Sequence, residues 1–214
     1  MRDLVSDEVV WSFEINKDTN YTLGQNYEIA MVAADGTISI RDLRTGEQKV
    51  EVKGQAAPNV MRVLLLENKK QYLVFVSLPY VVKSRVTYRP LSMTSLLFNG
   101  MLYSIDRETG ELMWSRMLEA QGIDFTQFFD LPVMTFGIRR VMGISTSSGN
   151  QVDLEVIDLR DGSQVLKETT SSNRLRTWVV PDLEQKDILI EPFQIRLSFE
   201  EPPVVAPKPA AAPQ

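Results

Sequence analysis

Asp106-Arg-Glu-Thr-Gly110, with Trp114 four residues further on, is the stretch that decides how this chain reads. The phrase recurs at Asp42-Leu-Arg-Thr-Gly46 and at Asp158-Leu-Arg-Asp-Gly162. In each copy the residue eight places after the Asp is apolar: Val50, Trp114 and Leu166. A weaker copy, Asp3-Leu-Val-Ser-Asp7, opens the chain and puts Trp11 at the same offset. Internal repetition at roughly 40 residues is the sequence mark of stacked β-blades.

The surroundings of the phrase repeat too. Upstream of each clear Asp stands a turn pair, Asp35-Gly36, Asn99-Gly100 or Gly149-Asn150. Such pairs are preferred centres of tight hairpins, whose central residues need positive φ. Between turn and Asp the residues alternate, Ile38 with Ile40 and Leu154 with Val156, as a strand with one more buried face requires. The Asp side chain can accept backbone N–H groups two or three residues on, and the Gly supplies the left-handed residue that closes the turn. A further β-rich run precedes each turn pair: Tyr27 to Ala34, Ser95 to Phe98 and Arg140 to Ser145.

Each unit is therefore three or four antiparallel strands joined by turns. Such a sheet cannot cover both faces alone, and radial packing of blade on blade solves that problem. The expected fold is an all-β propeller of about four blades. It is either a partial arc of a larger ring or a closed four-bladed ring, and the arc is favoured because the first copy starts abruptly, like a chain cut inside a longer array. Exposed strand edges of an arc would invite association.

The Asp-to-Asp spacings are 39, 64 and 52. Against a bare blade of about 40 residues, the longer intervals place insertions near residues 78–94 and 119–132. Insertions in repeat proteins map to loops and often to the binding face. Blades are assigned to residues 1–199, with strands at Trp178-Val-Val, Asp187-Ile-Leu-Ile and Gln194-Ile-Arg-Leu-Ser-Phe but no phrase among them. Residues 200–214 are too rich in Pro to join a sheet and read as a disordered tail.

Composition removes whole classes of chemistry. With no His and no Cys, the chain lacks Ser-His-Asp and Cys-His catalysis, imidazole and thiolate metal ligands, and disulfides. A formal net charge of −5 argues against nucleic acid as a partner. The basic groups Lys83-Ser84-Arg85 with Arg89, Arg139-Arg140, and Arg174 with Arg176 read as solvated loop charges. No run reaches the ~20 apolar residues of a membrane helix. The N-terminus shows no basic and apolar signal regions.

No Gly-x-Gly occurs, so neither a dinucleotide fingerprint nor a P-loop is present. Gly143-Ile-Ser-Thr-Ser-Ser-Gly149 differs in spacing from a nucleophile elbow, and no His exists to activate Ser145. Asn16-Lys-Asp-Thr-Asn20 has an oxygen-ligand rhythm, but Tyr21 and Tyr27 stand where a calcium loop needs Gly and Glu. The repeated Asp42, Asp106 and Asp158, with Gly46, Gly110 and Gly162, are read as turn-forming positions. Trp11 and Trp114 are read as core between blades. No catalytic, cofactor-binding or metal-binding residue is assigned.

Leu102-Tyr-Ser-Ile-Asp-Arg-Glu-Thr-Gly-Glu-Leu-Met-Trp114 resembles the repeat of pyrroloquinoline-quinone-type (PQQ-like) propellers, in which a Trp follows Thr-Gly and docks between blades. Ser6-Asp-Glu-Val-Val-Trp11 echoes it. The stretch Gly36 to Gly46 sounds like a WD40 repeat, but Arg41, Ile105 and Ile157 stand where that family has Trp before the Asp. The resemblance covers roughly residues 1–170. It implies the branch of non-catalytic members such as the lipoprotein that helps assemble outer-membrane β-barrels, and a periplasmic or other extracytoplasmic location. The leading expectation is a non-catalytic, cofactor-free interaction scaffold for a protein partner. The alternatives are a fragment of a quinoprotein dehydrogenase and the ligand-sensing propeller of a larger signalling protein.

Overall fold

A computed structural model describes residues 9–80, 86–90, 95–124, 131–142, 151–171, 178–182, 184–185, 187–191 and 194–198. The Asp3 copy, the Gly149-Asn150 pair, the Ser145 segment, parts of both insertions, Lys83 to Arg85, Arg174, Arg176 and the tail lie outside the described residues. Every strand pairing is antiparallel, and no helix among the described residues is long and apolar enough to cross a membrane. The chain divides into two compact units, Met1–Leu175 and Arg176–Gln214.

The first blade is a meander of β1 (Thr19–Leu23), β2 (Glu28–Ala33), β3 (Thr37–Asp42) and β4 (Gln48–Lys53), paired in chain order. Asp35 and Gly36 make the β2–β3 turn. Gly36 has φ 87°, and an Asp35 carboxylate oxygen accepts the Thr37 N–H at 2.9 Å. In β3 the alternation is complete, with Ile38 and Ile40 buried opposite Val32 and Ala30 of β2.

The second blade is built from β5 (Arg62–Glu67) and β6 (Gln71–Ser77), then β8 (Ser95–Asp106) and β9 (Leu112–Asp124), with β7 (Val86–Pro90) lying between β6 and β8 in sequence. β6 is buried on both faces, because a blade stands on each side of it. Tyr72, Val74 and Val76 enter a cluster with Ala30, Val32, Ile38, Ile40 and Val50 of the first blade. Leu73 and Phe75 enter another with Met134, Phe136 and Ile157 of the third. Thus two seams, each an apolar core, hold three blades together.

The third blade contains β10 (Val133–Met142), β11 (Gln151–Asp158) and β12 (Gln164–Ser171). Its inner neighbour is borrowed from two places. β9 meets β10 at Ile123 opposite Phe136, and β7 pairs with Ile138 to Met142.

Three local expectations need correction. Asn99-Gly100 is no hairpin turn: β8 runs straight through it, pairing with β9 on both sides of a register shift between Phe98 and Gly100, and with β6 from Gly100 to Asp106. The β9 ladder continues past the pair, and the extra residue is absorbed on β9, where Ala120 takes φ 46°, as a bulge. The stretch 78–94 is not only an interruption, since Val86–Pro90 is a strand. β9 pairs with β10 only at Phe136, and β7 takes up the rest of that edge, from Ile138 to Met142. Arg139 and Arg140 are not loop charges. They lie on β10, where Arg139 is buried and the Arg140 Nε lies 2.5 Å from Asp153.

The C-terminal unit holds a three-stranded meander of β13 (Trp178–Asp182), β14 (Asp187–Glu191) and β15 (Ile195–Ser198). Ile188 and Ile190 are its buried apolar residues among those described, and Asp187 beside them is buried too, 3.1 Å from Arg196. The Asp182 carboxylate accepts the N–H groups of Glu184 and Gln185 at 3.1 and 3.0 Å to shape the first turn.

Candidate functional site

The three clear phrases have one geometry. The Asp42 carboxylate accepts the Arg44 N–H at 2.7 Å, Asp106 those of Glu108 and Thr109 at 2.8 Å, and Asp158 that of Arg160 at 2.8 Å. Gly46, Gly110 and Gly162 each donate back to the carbonyl of their Asp, at 2.8, 3.0 and 2.9 Å. Their φ values, 77°, 73° and 73°, are the left-handed conformation that side chains resist. The residue after each Asp donates to a carbonyl just ahead of β2, β6 or β10, at Tyr27, Lys70 and Pro132. Arg44 first, then backbone N–H groups, hold the Asp42 carboxyl below the usual range. The Thr109 and Glu108 N–H groups do the same for Asp106.

The eighth residue of each phrase meets the glycine of the following one. The Trp11 ring lies over Gly46 and its indole N–H donates to the Arg44 carbonyl at 3.2 Å. Trp114 lies over Gly162, with its N–H on the Leu159 carbonyl at 2.9 Å. Between them, the backbone of Lys49 and Val50 rests on Gly110. A side chain on any of these glycines would collide with what is docked there. The phrase therefore ties each blade to the next, and Asp42, Asp106 and Asp158 are not brought together into a shared carboxylate site.

Sequence reading missed a buried ionic cluster between the first and second blades. Glu28 is 0% exposed. One of its carboxylate oxygens takes Lys49 Nζ at 2.6 Å and the Tyr72 hydroxyl at 2.7 Å, with Arg107 at 3.8 Å. Arg107 also lies 3.6 Å from Glu67 and 4.8 Å over the Tyr72 ring. Glu28 opens β2 with a charge inside an otherwise apolar run, and that is the signal available in sequence. Its burial and its opposed charges make it a polar lock on the seam.

Open space occurs elsewhere, and the repeat explains where. Ten residues after the phrase Asp, the outer strand carries Phe13, Val52 or Arg116. On the facing blade, three and five residues before the next Asp, stand Ser39 and Thr37, Tyr103 and Met101, or Glu155 and Asp153. Between the first and second blades, Tyr103 and Met101 fill the seam, and the Tyr103 hydroxyl accepts the Gln55 N–H at 3.0 Å. Smaller Ser39 and Thr37 leave a cleft of about 220 Å³ beneath Phe13 to Asn16. Between the second and third blades, Glu155 and Asp153 turn aside toward arginines, and a cleft of about 440 Å³ remains.

That larger cleft is the candidate site. Its floor is Leu118, Ala120 and Ile138. Arg116 pairs with Glu155 and donates to the Gly162 carbonyl at 2.9 Å, and Gln121 Nε2 donates to Glu155 at 3.1 Å. Arg140 pairs with Asp153, which also accepts the Thr169 hydroxyl at 2.7 Å. The stretch 78–90 adds Tyr80 and Tyr88, packed edge to face with centroids 5.5 Å apart. Burial, with the Tyr88 hydrogen bond second, pushes the Tyr80 phenol up to about 12, so it stays a hydrogen-bond donor.

No family model matches the sequence, and no curated protein does. Among solved structures, the computationally designed Ika4 protein is similar at 13% identity and a TM-score of 0.42, over 89% of this chain and 96% of that one. The WD40 domain of SCAP from fission yeast is similar at 15% identity and 0.35, over 80% of this chain and 35% of that one. BamB from Moraxella catarrhalis is similar at 13% identity and 0.24, over 91% and 81%. The chain thus spans about a third of the WD40 chain. The blade assignment rests on strand order, register and the repeated turn geometry.

Proposed function

We propose that this chain is a non-catalytic propeller module that acts as an interaction scaffold, and that it meets its partner at the cleft between the second and third blades. One observation carries this reading. At repeat positions where the neighbouring seam is plugged by Tyr103 and Met101, this seam carries Asp153 and Glu155 and stays open. The stretch that supplies Tyr80 and Tyr88 belongs to an insertion, the kind of segment repeat proteins use to build binding faces. Clefts of a few hundred Å³ with convergent polar groups are the usual form of recognition sites.

A photo-crosslinking residue at Lys167, on the rim, tests the proposal in the native host. The expected result is a discrete crosslinked protein that disappears when Thr169→Trp closes the cleft. Crosslinking that is absent, or indifferent to Thr169→Trp, refutes this contact site. The quinoprotein alternative is tested by adding free quinone and calcium. No change in absorbance or melting temperature is expected, and a saturable change in either overturns the non-catalytic reading.

A further inference from the structure

We infer that the cleft between the second and third blades binds a neutral saccharide, either a free oligosaccharide or a glycan carried by a protein partner. This rests on the cleft being the recognition site, and it names the chemistry of the occupant.

Three properties of the lining select that chemistry. The first is charge. Arg116, Arg140 and Lys167 face Asp153, Glu155 and Glu119, so cations and carboxylates balance. Arg116 and Arg140 are already paired with Glu155 and Asp153. A charged ligand would gain little net attraction and would lose its own hydration.

The second is hydrogen-bonding sense. The Gln121 side-chain oxygen is buried and has no partner among the described residues, so it asks for a donor. Lys167 is exposed on the rim and can give a hydrogen bond, while the Tyr80 hydroxyl is engaged with Tyr88. An unfilled acceptor and an available donor in one cleft match hydroxyl groups, each of which both donates and accepts. The ion-paired carboxylates and guanidinia keep further lone pairs and N–H groups that can form charge-assisted bonds to hydroxyls.

The third is shape. The walls are sheet faces covered by polar side chains: β12 is an edge strand, but it lines the cleft with the Lys167 and Thr169 side chains of one face. The floor of Leu118, Ala120 and Ile138 is buried and apolar. The crossed Tyr80 and Tyr88 rings supply a rigid apolar surface at one end. A pyranose ring presents hydroxyls at its edge and C–H groups on its face, which matches a polar wall beside an aromatic one.

The test is calorimetry and NMR titration of the full chain with maltotriose, cellotriose and chitotriose. Beside them run a sulfated disaccharide and a neutral Gly/Ser/Thr heptapeptide. At least one neutral trisaccharide is expected to bind saturably and shift the Gln121 side-chain amide. Thr169→Trp should abolish that binding, and Gln121→Leu should weaken it roughly tenfold, the effect of one lost hydrogen bond to a buried group. Unchanged melting curves check that both variants fold. A high-mannose glycoprotein, before and after deglycosylation, separates the two sources: loss of binding on deglycosylation assigns the glycan to a protein. Binding of the heptapeptide but of no saccharide overturns the inference and leaves the scaffold reading standing. Binding of no probe at millimolar concentration, or binding that survives Thr169→Trp, also overturns it.

Discussion

Replacing Gly162 by Ala puts a methyl group where the Trp114 ring already lies. A Cβ built there sits 2.7 Å from two atoms of the indole, on a backbone with φ 73°. Two costs combine. Left-handed backbone disfavours any side chain by about 1–2 kcal/mol, and forcing a methyl into a filled contact costs about 1–3 kcal/mol. The wild-type background should therefore lose about 2–5 kcal/mol, a large part of a typical domain's stability. Trp114→Ala alone should cost about 3 kcal/mol, near the lower end for a Trp because the ring is only half-buried. In the Trp114→Ala background nothing is left for the new methyl to strike, so Gly162→Ala should cost only the conformational ~1–2 kcal/mol. Urea unfolding of the four proteins, compared at constant slope, measures this coupling. Gly110 is the control. Its nearest built contact is the Lys49 carbonyl oxygen at 2.8 Å, which Val50→Ala does not remove, so that pair should show almost no coupling. Equal costs of Gly162→Ala with and without Trp114 would refute the docking of this ring on the glycine.

Further outcomes are expected. Val50→Ala, at a buried position of the first seam, should cost about 2 kcal/mol in the same assay. A loss under about 0.5 kcal/mol would show that the seam does not need it. Glu28→Ala leaves Lys49 and Arg107 without their buried carboxylate and should cost about 3–5 kcal/mol. Tyr72→Phe removes one hydrogen bond to that carboxylate and should cost about 1–2 kcal/mol, so a larger loss for Tyr72→Phe than for Glu28→Ala would invert the assigned roles. Acid should weaken the fold in a defined window. The Lys53 ammonium and the Thr37 N–H lower Asp35 to about 2 from 3.8, and Asp106 is also lowered. These carboxylates bind protons more weakly folded than unfolded. Their stabilisation is in place above pH about 4 and drains as the pH falls toward about 2. A urea midpoint that stays constant from pH 4 to pH 2 would count against these bonds.

Some of this protein was legible in the chain alone, because turn chemistry is local. Asp106-Arg-Glu-Thr-Gly110 closes a five-residue loop on its own carbonyl and N–H groups, so the phrase carries its geometry wherever it stands. Alternation in Thr37–Asp42 is likewise local, since period 2 follows from the pleat. Other features depended on which strand already held an edge. Asn99-Gly100 has the composition of a hairpin turn, yet β9 pairs on both sides of it and keeps it inside one long strand, opposite a bulge. Val86–Pro90 became a strand because β10 had backbone groups to satisfy, a demand set by residues about 50 positions away. The cleft is the extreme case. Glu155 and Tyr103 hold the same place in the repeat, and sequence shows only that one is charged and the other aromatic. The outcome was set by what each could reach across the seam: a backbone N–H for Tyr103, leaving the space filled, and the Arg116 guanidinium for Glu155, leaving it open.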